Sequence, residues 1–101
     1  MPPPRAFVYM VRCADGTFYT GYAVDLHRRL RAHNQGRGAK YTAGRRPVSL
    51  VYAAACRSKS EALKRERQIK RWPRDKKAEL ARRDIDLSGE TSAPTRRQAV
   101  R

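Results

Sequence analysis

Residues 6–23 most constrain the fold, because two β-type segments flank a turn signal there. Residues 6–13 (Ala-Phe-Val-Tyr-Met-Val-Arg-Cys) are apolar on both alternating sets of positions and contain β-branched and aromatic side chains. This pattern predicts a strand that is covered on both faces. Residues 17–23 are rich in threonine and tyrosine and predict a second strand. We therefore expect an antiparallel hairpin that turns at residues 14–16.

The length of this turn decides where Tyr9 and Tyr19 point, because side chains alternate between the faces of a sheet. A two-residue Asp15-Gly16 loop would leave the two rings on opposite faces. A three-residue loop at residues 14–16, with Gly16 left-handed as a bulge, would make the rings diagonal neighbours on one face. If the two tyrosines share a site, the three-residue loop is required.

The remaining elements follow from caps and periodicity. Asp25 is a predicted N-cap for a helix that ends near Gln35. Ser58 and Glu61 have capping-box spacing at the start of a helix that stops before Pro73. The other predicted elements are a glycine-punctuated basic loop at residues 36–47, a third strand at residues 48–56 and a last helix at residues 74–83.

The first helix carries two polar residues beside its apolar stripe, which consists of Leu26 and Leu30. At about 100° per residue, His33 projects within about 20° of Leu26, and Arg29 within about 60°. We expect both side chains at the edge of the buried face, where a site facing the core would need them.

Glu66 falls inside the apolar arc of the second long helix, between Leu63 and Ile69. A carboxylate on such a face is costly unless it is paired or binds a metal. A salt bridge to a neighbouring arginine is one explanation. The other is a magnesium ion whose remaining ligands are waters and phosphate oxygens.

The charge of the chain indicates a polyanionic partner. The 101 residues include 24 Lys and Arg against 9 Asp and Glu, which gives a formal net charge of +15. Fixed cations gain from phosphate contacts and counterion release, so nucleic acid is the expected partner, and an RNA-binding protein fits the composition equally well. There is no apolar run of membrane-spanning length and no signal-like segment, and two cysteines without zinc spacing suit a reducing compartment. We expect a cytoplasmic protein with no membrane partner.

Several ordered motifs resemble the GIY-YIG nuclease superfamily. Val8-Tyr9-Met10 stands where that superfamily has Gly-Ile-Tyr, with only the tyrosine kept, and Tyr19-Thr20-Gly21 matches its Tyr-Ile-Gly. Arg29, His33 and Glu66 follow at the expected places. The small stand-alone bacterial members are the most similar, in the segments at residues 12–16, 38–42, 45–47 and 61–66.

The resemblance implies an α+β fold for residues 1–85, with a small three-stranded antiparallel sheet flanked by helices. Residues 86–101 contain Ser, Thr and Pro, end in arginine and predict a disordered basic tail. One departure is that Trp72-Pro73-Arg74 follows the glutamate-bearing helix, where many larger relatives have an asparagine.

The implied activity is that of a divalent-metal-dependent endonuclease that hydrolyses DNA phosphodiester bonds, in repair or recombination. Glu66 would bind one Mg²⁺ or Mn²⁺ ion, and Arg29 would hold the phosphate. Tyr9 would activate or orient the attacking water, aided by His33 and Tyr19. A nearby metal, Arg29 and the positive field of the protein would favour the phenolate of Tyr9.

The residues expected to contact nucleic acid are Gly21, Lys40, Tyr41, Arg45 and Arg46. A merely solvated basic loop is an equal alternative for the last four of these. The alternative function is a non-catalytic nucleic-acid-binding protein on a degenerate nuclease fold.

Overall fold

A computed structural model describes residues 5–83. The strands are β1 (Ala6–Arg12), β2 (Phe18–Ala23) and β3 (Ser49–Cys56). The helices are α1 (Leu26–Asn34), α2 (Lys40–Ala43), α3 (Lys59–Lys70) and α4 (Arg74–Leu80). The three strands form one antiparallel sheet in the order β2-β1-β3, so the expected α+β architecture is confirmed. The predicted tail at residues 86–101 lies outside the described residues.

The hairpin loop has three residues, as a shared tyrosine site requires. The Cys13 amide donates to the Thr17 carbonyl at 2.8 Å, and Gly16 has a φ of 86°, a left-handed conformation that favours glycine. In the resulting register, Tyr9 and Tyr19 are diagonal neighbours on one face of the sheet.

The central strand β1 is buried on both faces, as its composition predicts. Val8 and Met10 belong to a core cluster with residues of α3 and α4. Tyr9 and Val11 face the other way and belong to a cluster that includes Leu26 of α1. Each of these four strand side chains is fully buried, and full burial of an apolar side chain stabilises the fold by about 1.5–3 kcal/mol.

Local caps set the starts of both long helices. The Asp25 carboxylate accepts a hydrogen bond from the Arg28 amide at 3.0 Å, which confirms the predicted N-cap of α1. At α3, the Ser58 hydroxyl accepts from the Glu61 amide at 3.0 Å, and the Glu61 carboxylate accepts from the Arg57 amide at 2.8 Å. The hydroxyl half of the predicted capping box is therefore formed, whereas the glutamate binds the amide one residue before the N-cap.

Hydrogen bonds join the two residues that flank the basic loop and also fix the loop to the hairpin turn. The Asn34 side chain donates to the Val48 carbonyl at 3.1 Å and accepts from the Val48 amide at 2.7 Å. The Arg45 carbonyl accepts from the Ala14 amide at 2.8 Å, and the Arg45 guanidinium pairs with the Asp15 carboxylate at 3.0 Å. The loop also contains the short helix α2, which the sequence pattern does not predict.

None of the helices within residues 5–83 combines the length and the apolar character that crossing a membrane requires.

Candidate active site

A chain of hydrogen bonds links the hairpin to α1 and α2. The Tyr9 hydroxyl lies 2.7 Å from Nε2 of His33, and Nδ1 of His33 lies 2.7 Å from Oγ1 of Thr42. The Thr42 hydroxyl donates in turn to the Ala39 carbonyl at 3.2 Å. Tyr9, His33 and Thr42 are all fully buried, so the chain is shielded from water.

The direction of these bonds assigns the tautomer of His33. A carbonyl oxygen can only accept, so the Thr42 hydroxyl donates its one proton to the Ala39 carbonyl. The Thr42 oxygen therefore accepts a hydrogen bond from Nδ1–H of His33. Nε2 then carries a lone pair and accepts the proton of the Tyr9 hydroxyl. Burial, with a smaller contribution from the charge of Arg29, lowers the pKa of His33 below its ordinary value of 6.5. His33 is therefore a neutral acceptor at neutral pH.

Tyr9 is a neutral phenol within the field of the protein itself. Burial, more than any other cause, raises the pKa of Tyr9 well above its ordinary value of 10, and Tyr19 and Glu66 raise it further. The positive charge of Arg29 lowers this pKa, as the sequence suggested, but its effect is smaller than that of burial. The expected preference for phenolate is thus not found in the protein alone.

Tyr19 and Gly21 complete the wall around Tyr9. The Tyr19 ring lies edge-on to His33 with centroids 5.3 Å apart, and the Tyr9 ring does so at 5.7 Å. A Cβ atom at position 21 would lie 2.7 Å from the Tyr9 hydroxyl oxygen, so only glycine allows the hydroxyl its present place. Gly21 thus packs against the phenol, and its contact with nucleic acid stays a prediction.

Glu66 is largely buried, as its position on α3 predicts, with 13% of its side chain exposed. Its carboxylate lies 2.9 Å from Nζ of Lys70, one helical turn later, so the neighbouring cation is a lysine instead of the expected arginine. Lys70 also lies over the Tyr19 ring, 5.6 Å from the centroid, and the charge of Glu66 raises the pKa of Tyr9. Both effects put Glu66 next to the two tyrosines.

The donor atoms around Glu66 suit a hydrated magnesium or manganese ion. Within residues 5–83, no group of three or more His, Cys, Asp or Glu side chains could hold a metal. A site here would have the Glu66 carboxylate as its acidic ligand, near enough to Tyr9 for its charge to act on that phenol. Hard oxygen donors in small number fit Mg²⁺ or Mn²⁺, since Mg²⁺ usually keeps several waters and shares phosphate oxygens with its substrate.

Arg29 and His33 were both expected at the edge of the buried face of α1. His33 is fully buried, whereas Arg29 is exposed. Its charge still acts on both Tyr9 and His33. The long side chain explains the difference, because the residue as a whole is exposed while its guanidinium lies close enough to the Tyr9 hydroxyl to lower the pKa of that group. Arg29 therefore offers a guanidinium at the mouth of the site.

Comparisons with known proteins identify the family of the chain. Residues 5–79 match the family model described as the GIY-YIG catalytic domain. The chain belongs to the GIY-YIG family. The predicted family and fold are both confirmed.

Among similar proteins, a UPF0213 protein of Staphylococcus aureus strain Mu3 is 58% identical over 74 residues, which are 73% of this chain and 90% of the relative. The solution NMR structure of an E. faecalis protein is 40% identical with a TM-score of 0.53, and the match covers 78% of this chain and 85% of that one. The solution NMR structure of a UPF0213 protein from Bacillus halodurans is 47% identical with a TM-score of 0.49, over 74% and 80% of the two chains.

Of the loop residues expected to bind nucleic acid, Tyr41 contacts the candidate site directly and Arg45 contacts Tyr41. Tyr41 stacks on Tyr19, with ring centroids 5.9 Å apart and ring planes at 22°. The Arg45 guanidinium lies over the Tyr41 ring, 4.0 Å from its centroid. Arg45 is itself held by Asp15 and by the Tyr41 carbonyl, to which it donates at 2.7 Å. The loop thus presents an ordered aromatic and a fixed cation beside Tyr19.

The other two loop residues lie apart from this stack. Arg46 donates from Nε to the Ala43 carbonyl at 2.8 Å, and its guanidinium lies against Gly36. Lys40 is exposed at the first position of α2. The described structure brings neither of them to Tyr9.

Sequence reasoning missed two residues that this GIY-YIG domain uses to position His33. Thr42 accepts from Nδ1, as described above. A Cβ atom at Gly38 would lie 2.4 Å from Nδ1 and 2.7 Å from Cα of His33, so the loop backbone packs directly on the imidazole. Both residues lie in residues 38–42, one of the segments typical of the small bacterial members, and this was the signal that could have identified them.

Proposed function

We propose that the protein is a divalent-metal-dependent endonuclease that hydrolyses DNA phosphodiester bonds. The observation that carries this proposal is the buried hydrogen bond of 2.7 Å between the Tyr9 hydroxyl and the unprotonated Nε2 of His33. A phenol that already donates to a base has its oxygen lone pairs free for a second partner. The partner in this proposal is the attacking water, which has to enter beside the Tyr9 oxygen together with the substrate because the hydroxyl is buried in the free protein.

Proton transfer along this chain avoids a buried phenolate. The water oxygen forms a bond to phosphorus while its proton passes to the Tyr9 oxygen, and the Tyr9 proton passes to Nε2 of His33. The bond from phosphorus to the leaving oxygen breaks, and that oxygen takes a proton from solvent. The raised pKa of Tyr9 makes a lasting phenolate costly, so the Tyr9 oxygen gains the water proton as it gives its own proton to Nε2 of His33.

Arg29 and Glu66 supply the charges that the phosphate needs. The exposed guanidinium of Arg29 can hold phosphate oxygens in its planar fork and stabilise the charge that develops on them. Glu66 would hold the Mg²⁺ or Mn²⁺ ion after exchanging its bond to Lys70. When bound, the ion supplies Lewis-acid stabilisation of the scissile phosphate.

The test compares wild-type protein with Glu66→Gln on single-stranded, nicked and branched DNA, with and without Mg²⁺ or Mn²⁺. We expect metal-dependent cleavage by the wild type and a loss of at least about 100-fold in the variant, the size typical of removing one preorganised group that stabilises the transition state. Glu79→Gln, at an exposed position of α4, is the matched control and should cleave as the wild type does. Nicked and branched DNA also test our proposal that the enzyme works in repair or recombination.

A non-catalytic nucleic-acid-binding protein is the second candidate, because Lys70 already neutralises Glu66 without any metal. That function predicts DNA binding with no cleavage of any of the three substrates. Cleavage that Glu66→Gln leaves unchanged would contradict the proposed mechanism as well.

A further inference from the structure

A cleft of about 460 Å³ is lined by Arg29 but not by Tyr41 or Arg45. It is formed by the end of β2, one side of α1, the start of the basic loop and the first residue of α3. We call it the flanking cleft. The cations and the large apolar residues of its lining are Tyr22, Val24, Arg28, Arg29, Arg37 and Lys59.

The flanking cleft carries uncompensated positive charge. Four of its lining residues are cations, and none of them forms a salt bridge with any residue in the range 5–83. Asp25 also lines the cleft, but its carboxylate accepts the Arg28 amide and caps α1. Arg37 is oriented by a hydrogen bond from its guanidinium to the Gln35 side chain. Four cations against one committed carboxylate favour an anionic occupant.

Apolar surface is interleaved with these cations. Tyr22 is half-buried, and Val24 is 65% exposed, which is the largest exposure of any large hydrophobic residue in the described chain. A basic groove with aromatic and apolar surface is the combination that binds single-stranded nucleic acid, in which unpaired bases offer apolar faces. A duplex hides those faces in its stack.

The size of the cleft also favours a single strand. A volume of 460 Å³ falls within the range of about 300–1,000 Å³ that is usual for clefts that hold one small ligand. A double helix, whose major groove alone is about 12 Å wide, would lie across such a cleft without entering it. One or two nucleotides of an unpaired strand match its scale.

We propose that the flanking cleft binds an unpaired segment of the nucleic acid that is cleaved, next to the phosphate held by Arg29. Arg29 connects the two places, because it lines the cleft and its charge reaches Tyr9 and His33. The link to a scissile phosphate rests on the proposed nuclease function, whereas binding in the cleft does not. The domain thereby selects substrates that are single-stranded on one side of the cleavage point.

The test measures binding of a fluorescent single-stranded DNA and of the duplex of the same sequence by anisotropy, with EDTA present so that no cleavage occurs. The variant is the triple substitution R28Q/R37Q/K59Q, which leaves Arg29 in place. The matched control, R31Q/R82Q/K64Q, removes the same number and kind of exposed cations outside the cleft. Circular dichroism establishes that both proteins fold.

We expect the cleft variant to lose at least about tenfold more single-strand affinity than the control does. The slope of log K against log salt should fall by about 2, from three lost contacts at about 0.7 each for single strands. Duplex affinity should fall equally in the two variants. Equal single-strand affinities in the two variants, or a duplex loss as large as the single-strand loss, would overturn the assignment.

A parallel cleavage assay separates this inference from the proposed function. If wild-type protein cleaves nothing while the cleft variant selectively loses single-strand binding, the nuclease proposal fails and the binding cleft stands. If wild-type protein cleaves DNA and the cleft variant binds and cleaves as the control does, the cleft assignment fails and the nuclease proposal stands.

Discussion

Replacing Thr42 with valine removes one hydroxyl from the centre of the hydrogen-bond chain and keeps the side-chain shape. Thr42 is fully buried, and its oxygen accepts from Nδ1 of His33 at 2.7 Å while donating to the Ala39 carbonyl at 3.2 Å. Thr42→Val leaves the Nδ1–H without an acceptor in a place that water does not reach. Thr42→Ser is the matched control, because it keeps the hydroxyl and loses only a methyl group.

The magnitude follows from these two bonds. A buried donor left without a partner costs about 1–3 kcal/mol, and the bond to Ala39 is long and contributes little, so we expect Thr42→Val to lower the free energy of unfolding by about 2 kcal/mol. In a domain of this size each kcal/mol lowers the melting temperature by about 4–8 °C, which gives a fall of about 8–16 °C. Thr42→Ser should cost about 0.8 kcal/mol for the methyl group.

His33 can escape part of this cost by moving its proton from Nδ1 to Nε2. In that tautomer Nε2 carries a proton and is itself a donor, so the Tyr9 hydroxyl would lose the acceptor for its proton. A tautomer preference of about 1–3 kcal/mol corresponds to a factor of about 5–150, and cleavage should fall by that factor if Tyr9 passes its proton to His33.

Two measurements decide the matter: urea unfolding for stability, and the ¹⁵N chemical shifts of His33 for the tautomer. The wild type and Thr42→Ser should show a protonated Nδ1, and Thr42→Val should show loss of that state. If Thr42→Val unfolds at the same urea concentration as Thr42→Ser and keeps the proton on Nδ1 of His33, the proposed direction of the hydrogen-bond chain is wrong.

Two further predictions concern the same histidine. Gly38→Ala should destabilise the domain by about 1–3 kcal/mol in urea unfolding, because a Cβ atom 2.7 Å from Cα of His33 forces atoms to shift. The control is Gly44→Ala, which should be neutral because a Cβ atom there has nothing within 4 Å. Equal destabilisation by the two substitutions would show that packing on His33 is not the cause. Because burial lowers the pKa of His33, the unfolded chain binds its proton more readily, so the stabilisation is present above pH 6.5 and is lost as pH falls towards the folded-state pKa. The urea midpoint should therefore fall between about pH 7.5 and pH 5.5 in the wild type and in the control His27→Gln, and it should fall less in His33→Gln. An equal fall in all three proteins would show that His33 is not the group responsible.

The hairpin and the two long helices could be predicted from the sequence, because their signals are local. The faces of β1 follow from alternation, and the helix starts follow from Asp25 and Ser58, whose side chains bond to amides within three residues. The register of the hairpin needed one assumption, that Tyr9 and Tyr19 share a site. The hydrogen bond from the Cys13 amide to the Thr17 carbonyl, across the turn, confirms the loop length that this assumption requires.

The rest of the site depends on tertiary contacts that leave no local signal. The helix α2 has four residues, too few for a helical period to show, and Thr42 meets His33 only after the loop folds back. A helical projection gives the direction of Arg29 but not the reach of its side chain, so its exposure was not predicted. The protonation of Tyr9 is decided by burial against other elements, which composition does not reveal.

The packing of Gly38 on the imidazole of His33 ties the site to the cooperativity of the basic loop. Shielding of His33 from water requires that this loop backbone stay in place, and the loop is held by side-chain bonds at Asn34 and Arg45. Local opening of such a segment needs less free energy than global unfolding. Warming or mild denaturant should therefore release the histidine while the sheet remains folded, and hydrogen exchange should find the α2 amides exchanging before those of β1.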